Sequence, residues 1–165
     1  MSFRDEALAA NADYAAGFAE RDREPAPTRR IAVVACMDAR LRPEDALGLS
    51  LGEAHVVRNA GGRVTDDVVR SLMLSSAVLG TREAVVIHHT DCGLHGATND
   101  GLRERVAEIT GQDVPATDFL PFDDAERTLL DDVRSIEGDA RLAFDDVTGL
   151  LYDVRTGRLR EVVTG

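Results

Sequence analysis

Residues 84–92 read AVVIHHTDC: four apolar residues, three of them β-branched, give way to a polar loop that ends in a thiol. A run so short and so continuously apolar suits a strand covered on both faces of a parallel sheet. Residues 31–35, within IAVVAC, and residues 54–57, AHVV, have the same character. Between the second and third runs the helix signals are strong. Thr65 is the expected N-cap, Asp66 and Asp67 suit the positive end of the helix dipole, and Gly80 ends the segment. Its expected buried face is Val68, Val69, Leu72, Met73, Ala77 and Leu79.

A second helix is predicted over residues 123–137, burying Ala125, Leu129, Leu130, Val133 and Ile136 before Gly138, with a shorter one near 101–109. Residues 141–163 predict a C-terminal β extension with turns at Thr148-Gly149 and Arg155-Thr156-Gly157. Residues 2 to about 22 predict an amphipathic helix with a thin apolar stripe of Phe3, Leu8, Tyr14 and Phe18, broken by Glu24-Pro25-Ala26-Pro27. So thin a stripe is better served by another surface, such as a partner subunit, than by folding alone. The expected fold is therefore α/β: a central, mostly parallel sheet flanked by helices, with an N-terminal helical arm and a C-terminal β extension. Ligands in such sheets gather at the carboxyl ends of the strands.

The 165 residues are expected to form a single domain, 1–165, with residues 1–24 as the arm. All 19 basic residues are arginine, and the net charge is −11. Such an acidic surface argues against nucleic acid and anionic membrane partners, and the missing lysine removes Schiff-base mechanisms. No apolar stretch approaches the roughly 18 residues a membrane span requires, and the N-terminus lacks a signal peptide's apolar core. A cytoplasmic protein with reduced thiols is the expectation.

The chain has two cysteines, Cys36 and Cys92, each where an apolar run meets a loop, and His89 precedes Cys92 by three residues. Two thiols and an imidazole at strand ends suit a soft divalent ion such as Zn2+ held by three protein ligands, with the fourth position open as in catalytic zinc sites. Asp38 and Arg40, two apart in the following loop, can pair. The aspartate could then accept a hydrogen bond from a metal-bound water, ligate the metal itself, or be a salt-bridge decoration. Cys36 to Arg42 also fits C-x5-R, a phosphate-binding loop with a thiolate nucleophile. That reading suffers from the absence of glycine, from Asp38 beside the anion, and from leaving His89 and Cys92 unexplained.

Three spaced motifs, Cys36-Met-Asp38-Ala-Arg40, His55-Val-Val-Arg58-Asn59-Ala60-Gly61-Gly62 and His89-Thr-Asp-Cys92-Gly93, closely resemble the β-class carbonic anhydrases, in their short, compact subgroup. The likeness extends to the N-terminal arm, the helix after Thr65 and the ending Gly149-Leu-Leu-Tyr152-Asp153-Val154. The resemblance implies that Cys36, His89 and Cys92 bind zinc and that Asp38 and Arg40 form the catalytic dyad beside it. It implies a homodimer or higher homo-oligomer, with the arm lying on the partner and the site near the interface. In some members the aspartate swings onto zinc at low pH; others have a bicarbonate regulatory site that involves a tryptophan, a residue this chain lacks.

The implied activity is the zinc-dependent, reversible hydration of carbon dioxide to bicarbonate and a proton, by a hydroxide formed at zinc. Asp38 would accept the hydroxide proton and Arg40 would orient Asp38. Gly61 and Gly62 could let the backbone approach the substrate, or could merely make a turn. His95 could relay protons but reads more simply as a surface histidine, and His88 and His55 read as structural. Three alternatives stay open: a hydrolase of carbonyl sulfide or carbon disulfide on the same site, a non-catalytic zinc protein, and a thiol redox protein.

Overall fold

The computed structural model describes residues 2–20 and 22–163. Met1, Arg21, Thr164 and Gly165, which belong to the expected domain and, for the first two, to the expected arm, lie outside the described residues. A five-stranded sheet runs through the molecule in the order β2-β1-β3-β4-β5. Its strands are β1 (Ile31–Cys36), β2 (Ala54–Asn59), β3 (Glu83–His89), β4 (Asp146–Tyr152) and β5 (Leu159–Glu161). The first four are parallel, and β5 returns antiparallel on β4. Each expected strand is present and extends by one or two residues into the segment where the polar motif begins.

Alternation of side chains divides the core into two layers. Ala32, Val34, Ala84 and Val86 face helices α3 (Asp66–Met73) and α5 (Ala125–Glu137), meeting Val68, Leu72, Leu129, Val133 and Ile136. Val33, Ala35 and Ile87 face the opposite side, where Leu47, Leu49 and Leu159 cover them. Leu47 follows a single helical turn, α2 (Pro43–Ala46). This double covering explains why the strands read as continuous apolar runs rather than alternating ones.

Thr65 caps α3, its hydroxyl accepting from Val68 N, and one π-type turn, Leu74–Val78, extends the helix before Gly80 at φ +75°. The buried stripe corrects the expected one. Ala77 is exposed and Met73 only half-buried, while Ser75 and Ser76 are buried. The helical period places them there, and their hydroxyls are satisfied: Ser76 Oγ donates to Leu72 O at 2.9 Å, and Ser75 Oγ bonds Thr81 Oγ1 at 2.8 Å. The helix expected near 101–109 is α4 (Asn99–Thr110).

Two further expectations change. Thr148-Gly149 is no turn but lies inside β4, and a Cβ at Gly149 would come within 3.1 Å of Val133 Cγ2 and 3.3 Å of Leu129 Cγ. Glycine there lets α5 pack close against the sheet. The N-terminal helix α1 (Phe3–Ala16) ends six residues before the expected limit of about 22 and buries none of its residues. At 100° per residue Tyr14 lies only about 20° around the axis from Phe3 but Leu8 roughly 140° from it, and Phe18 lies beyond the helix, so the expected stripe reduces to Phe3 and Tyr14. A Ser2–Asp5 capping box starts the helix. The Arg155-Thr156-Gly157 turn is present, with Asp153 Oδ1 accepting from Arg155 N and Thr156 N.

From β1 the chain passes to β2 on one side, then crosses to β3 on the other. The crevice beyond the carboxyl ends of β1 and β3 is therefore the topological switch point of the sheet, where ligands are expected.

Candidate metal centre and active site

β1 and β3 end side by side at the switch point, so Cys36 and His89 meet without any long connection. After His89 the chain turns sharply, with Asp91 at φ +55°, and this brings Cys92 back over the two strand ends. The potential ligand atoms of Cys36, His89 and Cys92 all lie within 4.8 Å of one another, and all three residues are buried. Both cysteines are free thiols.

The histidine is prepared for a metal. Its Nδ1 sits 2.8 Å from Thr90 O, a bond in which the ring N–H donates to the carbonyl. Its Nε2 is buried, with no hydrogen-bond partner among the described residues. The bond at Nδ1 selects the tautomer that leaves the Nε2 lone pair facing the two sulfurs, the arrangement found around metal-bound histidines. An orphaned buried acceptor is costly unless something fills the role, and a soft divalent cation fits this donor set.

The two sulfurs lie close enough to perturb each other. The neighbouring Cys92 thiol does most to pull the Cys36 thiol down from its ordinary value, and burial opposes this. Cys92 is pushed up by donating to Cys36 and by its own burial. A divalent ion would draw both groups into the thiolate form.

Asp38 stands at the edge of this cluster, its Oδ2 3.9 Å from His89 Nε2. Arg40 grips it with both ends of the guanidinium, Nε donating to Oδ1 at 2.9 Å and one terminal N–H to Oδ2 at 2.7 Å, while the Arg40 backbone N–H adds a third bond at 2.9 Å. These bonds hold the Asp38 carboxyl well below the usual carboxylate range, against the opposing effect of burial, so it is ionised at neutral pH. Arg40 also donates to Asp91 O at 2.9 Å, joining the loops that follow β1 and β3.

Arg58 carried no role in the sequence-based expectation, yet its Nε donates to Cys36 O at 2.9 Å and its terminal N–H to Asp38 O at 2.8 Å. The signal was a charged residue at the end of an otherwise apolar strand. Asp132, likewise without an expected role, is buried on α5 and bonds His88 and Arg63. Arg42, the anion-binding arginine of the C-x5-R reading, pairs with Asp45 at 2.8 Å and is 80% exposed. It does not face Cys36 across a phosphate-sized cradle.

Gly61 and Gly62 are buried in a tight turn, Ala60–Gly62, at the end of β2. Both have left-handed backbone, Gly61 at φ +80° and Gly62 at φ +68°. A Cβ on Gly62 would lie 2.9 Å from both Cys36 N and Ile87 O, so what the turn approaches here is the backbone of β1 and β3. Gly62→Ala is therefore expected to cost at least about 2 kcal/mol, from the left-handed backbone and the clash with backbone atoms together. Urea unfolding checks this, and an alanine variant within about 0.5 kcal/mol of the parent would refute it.

The remaining histidines are engaged elsewhere. His55 bonds Ser75 Oγ at 2.8 Å and Pro25 O at 3.0 Å; His88 faces α5; His95 is exposed, its Nε2 donating to Asp123 O at 2.9 Å.

Comparison with known proteins agrees with this geometry. A family model described as carbonic anhydrase matches residues 31–114. Beta-carbonic anhydrase 1 of Mycobacterium tuberculosis is 44% identical over 163 residues, covering 98% of this chain and 99% of that protein. The crystal structure of a carbonic anhydrase from Streptococcus mutans superposes with a TM-score of 0.89 at 44% identity, covering 99% of each chain. A carbon disulfide hydrolase of Acidithiobacillus thiooxidans is 34% identical over 158 residues, 80% of this chain and 72% of that protein.

Proposed function

The chain belongs to the β-class carbonic anhydrase family, and from that premise we propose that it catalyses the reversible hydration of carbon dioxide to bicarbonate and a proton at a zinc ion held by Cys36, His89 and Cys92. The observation that carries this reading is the ionised, Arg40-clamped Asp38 carboxylate standing 3.9 Å from the unpartnered Nε2 of His89. A purely structural site has no use for a carboxylate aimed at its open side.

A bound zinc ion supplies Lewis acidity, making a water nucleophilic near neutral pH. The protein's part is orientation and exclusion of bulk solvent. Asp38, an acceptor only, takes the O–H bond of the attacking oxygen and so turns a lone pair toward the carbon. Arg40 keeps the carboxylate at that angle through its two guanidinium bonds, which would compete with any ligation of the ion by Asp38. Leu41, Leu94 and Phe122 pack around Cys36 and Cys92 and form an apolar wall beside the ligands. Gly61 and Gly62 act on the site only through the turn they allow, which seats against the backbone of β1 and β3. Because two thiolates cancel the ion's formal charge, hydration should rise with pH between about 7 and 9.

The test is zinc content together with stopped-flow hydration of carbon dioxide by the purified chain. Absence of both zinc and activity would sink the reading. Similarity to the carbon disulfide hydrolase keeps a second reading in view, in which the same site takes carbon disulfide or carbonyl sulfide. All three substrates are linear heterocumulenes, and side-by-side rates decide between them.

The domain is proposed to act as a cytoplasmic homodimer, with residues 1–24 as an arm on the second copy. No helix of the described residues is long and apolar enough to cross a membrane. Support for the dimer comes from the exposed Phe3, Leu8 and Tyr14 of α1, which bury nothing in their own chain. It comes also from an apolar groove of about 290 Å3 beside edge strand β2, lined by His55, Val57, Leu74 and Leu79, with Leu74 itself half-exposed. Sedimentation equilibrium should give twice the chain mass, and a monomer would refute the pairing.

A further inference from the structure

Among the described residues, Asp132 is the only buried carboxylate, and it sits on α5, which carries none of the candidate ligands. Burying a charge is expensive unless every lone pair finds a donor. Asp132 Oδ2 accepts from Arg63 Nε at 2.7 Å and from His88 Nε2 at 3.1 Å, and Oδ1 accepts from Val64 N at 3.2 Å. Arg63 in turn donates to Leu120 O at 3.0 Å, and its own backbone is held at both polar atoms by the Asn59 side chain. Burial works against the Asp132 charge, yet the bonds from His88 and Arg63 hold its carboxyl below the ordinary value.

Stability alone does not call for this arrangement. Buried ion pairs can often be exchanged for apolar side chains of similar volume at no loss. What distinguishes the network is where its bonds end. Arg63 and Val64 directly follow the turn whose Gly62 lies against Cys36 N and Ile87 O, so close that a Cβ there would stand 2.9 Å from each. His88 immediately precedes His89 on β3. Successive strand side chains point to opposite faces, so drawing His88 down onto α5 fixes the strand end that presents His89 on the other side.

We propose that Asp132 is a positioning residue for the metal centre: through Arg63 and Val64 it holds the turn that buttresses Cys36, and through His88 it sets the strand end that presents His89. This rests on reading Cys36, His89 and Cys92 as metal ligands. Partners bonded directly to metal ligands typically change metal affinity about 10- to 100-fold when altered; Asp132 acts one residue further out, through Arg63, Val64 and His88, so the lower end of that range is expected.

The test uses the zinc-loaded full chain, following zinc loss to a chromophoric chelator, and the sulfur-to-metal charge-transfer band of the cobalt-substituted protein. Asp132→Asn is expected to release zinc at least about tenfold faster and to shift the cobalt band. Leu129→Ala, in the same helix and buried but outside the network, should lower Tm while releasing zinc at the parental rate. The triple variant Arg63→Met, His88→Leu, Asp132→Leu removes the buried polar side chains together, so that the His88 ring is not left unpaired; it should recover Tm relative to Asp132→Asn yet still release zinc quickly, and it serves the test if Asp132→Asn does not fold. Parental zinc release and an unshifted cobalt band in Asp132→Asn would overturn the proposal. So would zinc release that simply tracks Tm across these variants. Should His89→Ala still bind zinc in full, it is the ligand reading that has failed, a result distinct from either of these.

Discussion

Replacing His89 by alanine is expected to leave the chain folded, to strip it of zinc, and to lower carbon dioxide hydration by at least about 10^4-fold, toward the uncatalysed rate. The fold survives because His89 contributes to β3 mainly through its backbone, in register with Tyr152 of β4. The site does not survive, because two thiols alone cannot complete a three-ligand set, and the imidazole supplies the one neutral donor whose tautomer is already chosen by Thr90 O. Circular dichroism, zinc analysis and stopped-flow hydration together read the three claims. A His89→Ala protein that keeps both zinc and turnover would show that the cluster is not the catalytic centre.

The second large effect concerns the dyad. Asp38→Ala is expected to reduce kcat about 10^2- to 10^3-fold, roughly 3–4 kcal/mol of transition-state stabilisation, while zinc content stays at the parental level. Arg40→Leu should also impair the enzyme, because the freed carboxylate, 3.9 Å from His89 Nε2, keeps only its bond to the Arg40 backbone N–H and lies within reach of the metal's open position. If Arg40 acts only through Asp38, the double variant should be no slower than Asp38→Ala by itself. Additive losses would mean that Arg40 touches the substrate independently. The comparison rests on kcat, since a change confined to KM would point to binding rather than orientation.

Much of this site was legible along the chain because its parts are local. Asp38 and Arg40 are two residues apart, and His89 and Cys92 share one loop, so spacing alone brings each pair together. Cys36 joins them because parallel strands in one sheet end on the same side. Three of the four parallel strands were equally plain, since burial on both faces leaves an unbroken apolar run; β4 was not, because Thr148-Gly149 interrupts it with residues that read as a turn. Where the reading went astray, the deciding contact was distant. Gly149 looked like a turn residue because the reason for it, Val133 on α5, lies far from it in sequence. Ser75 was passed over for the buried face because its partner His55 lies on another element, 20 residues away.

Residue chemistry and periodicity by themselves determined the α/β fold, the donor set of two thiols and an imidazole, and the carboxylate–guanidinium pair beside it. Only the tertiary structure decided how those donors are held. His89 Nε2 is free because Thr90 O occupies Nδ1, Gly62 is glycine because two strands lie against it, and Asp132 reaches His88 and Arg63 across 44 and 69 residues. The physical reason is the same in each case: a buried polar atom must be satisfied by whatever packs next to it, and packing neighbours are set by how the elements are stacked, not by their order in the chain.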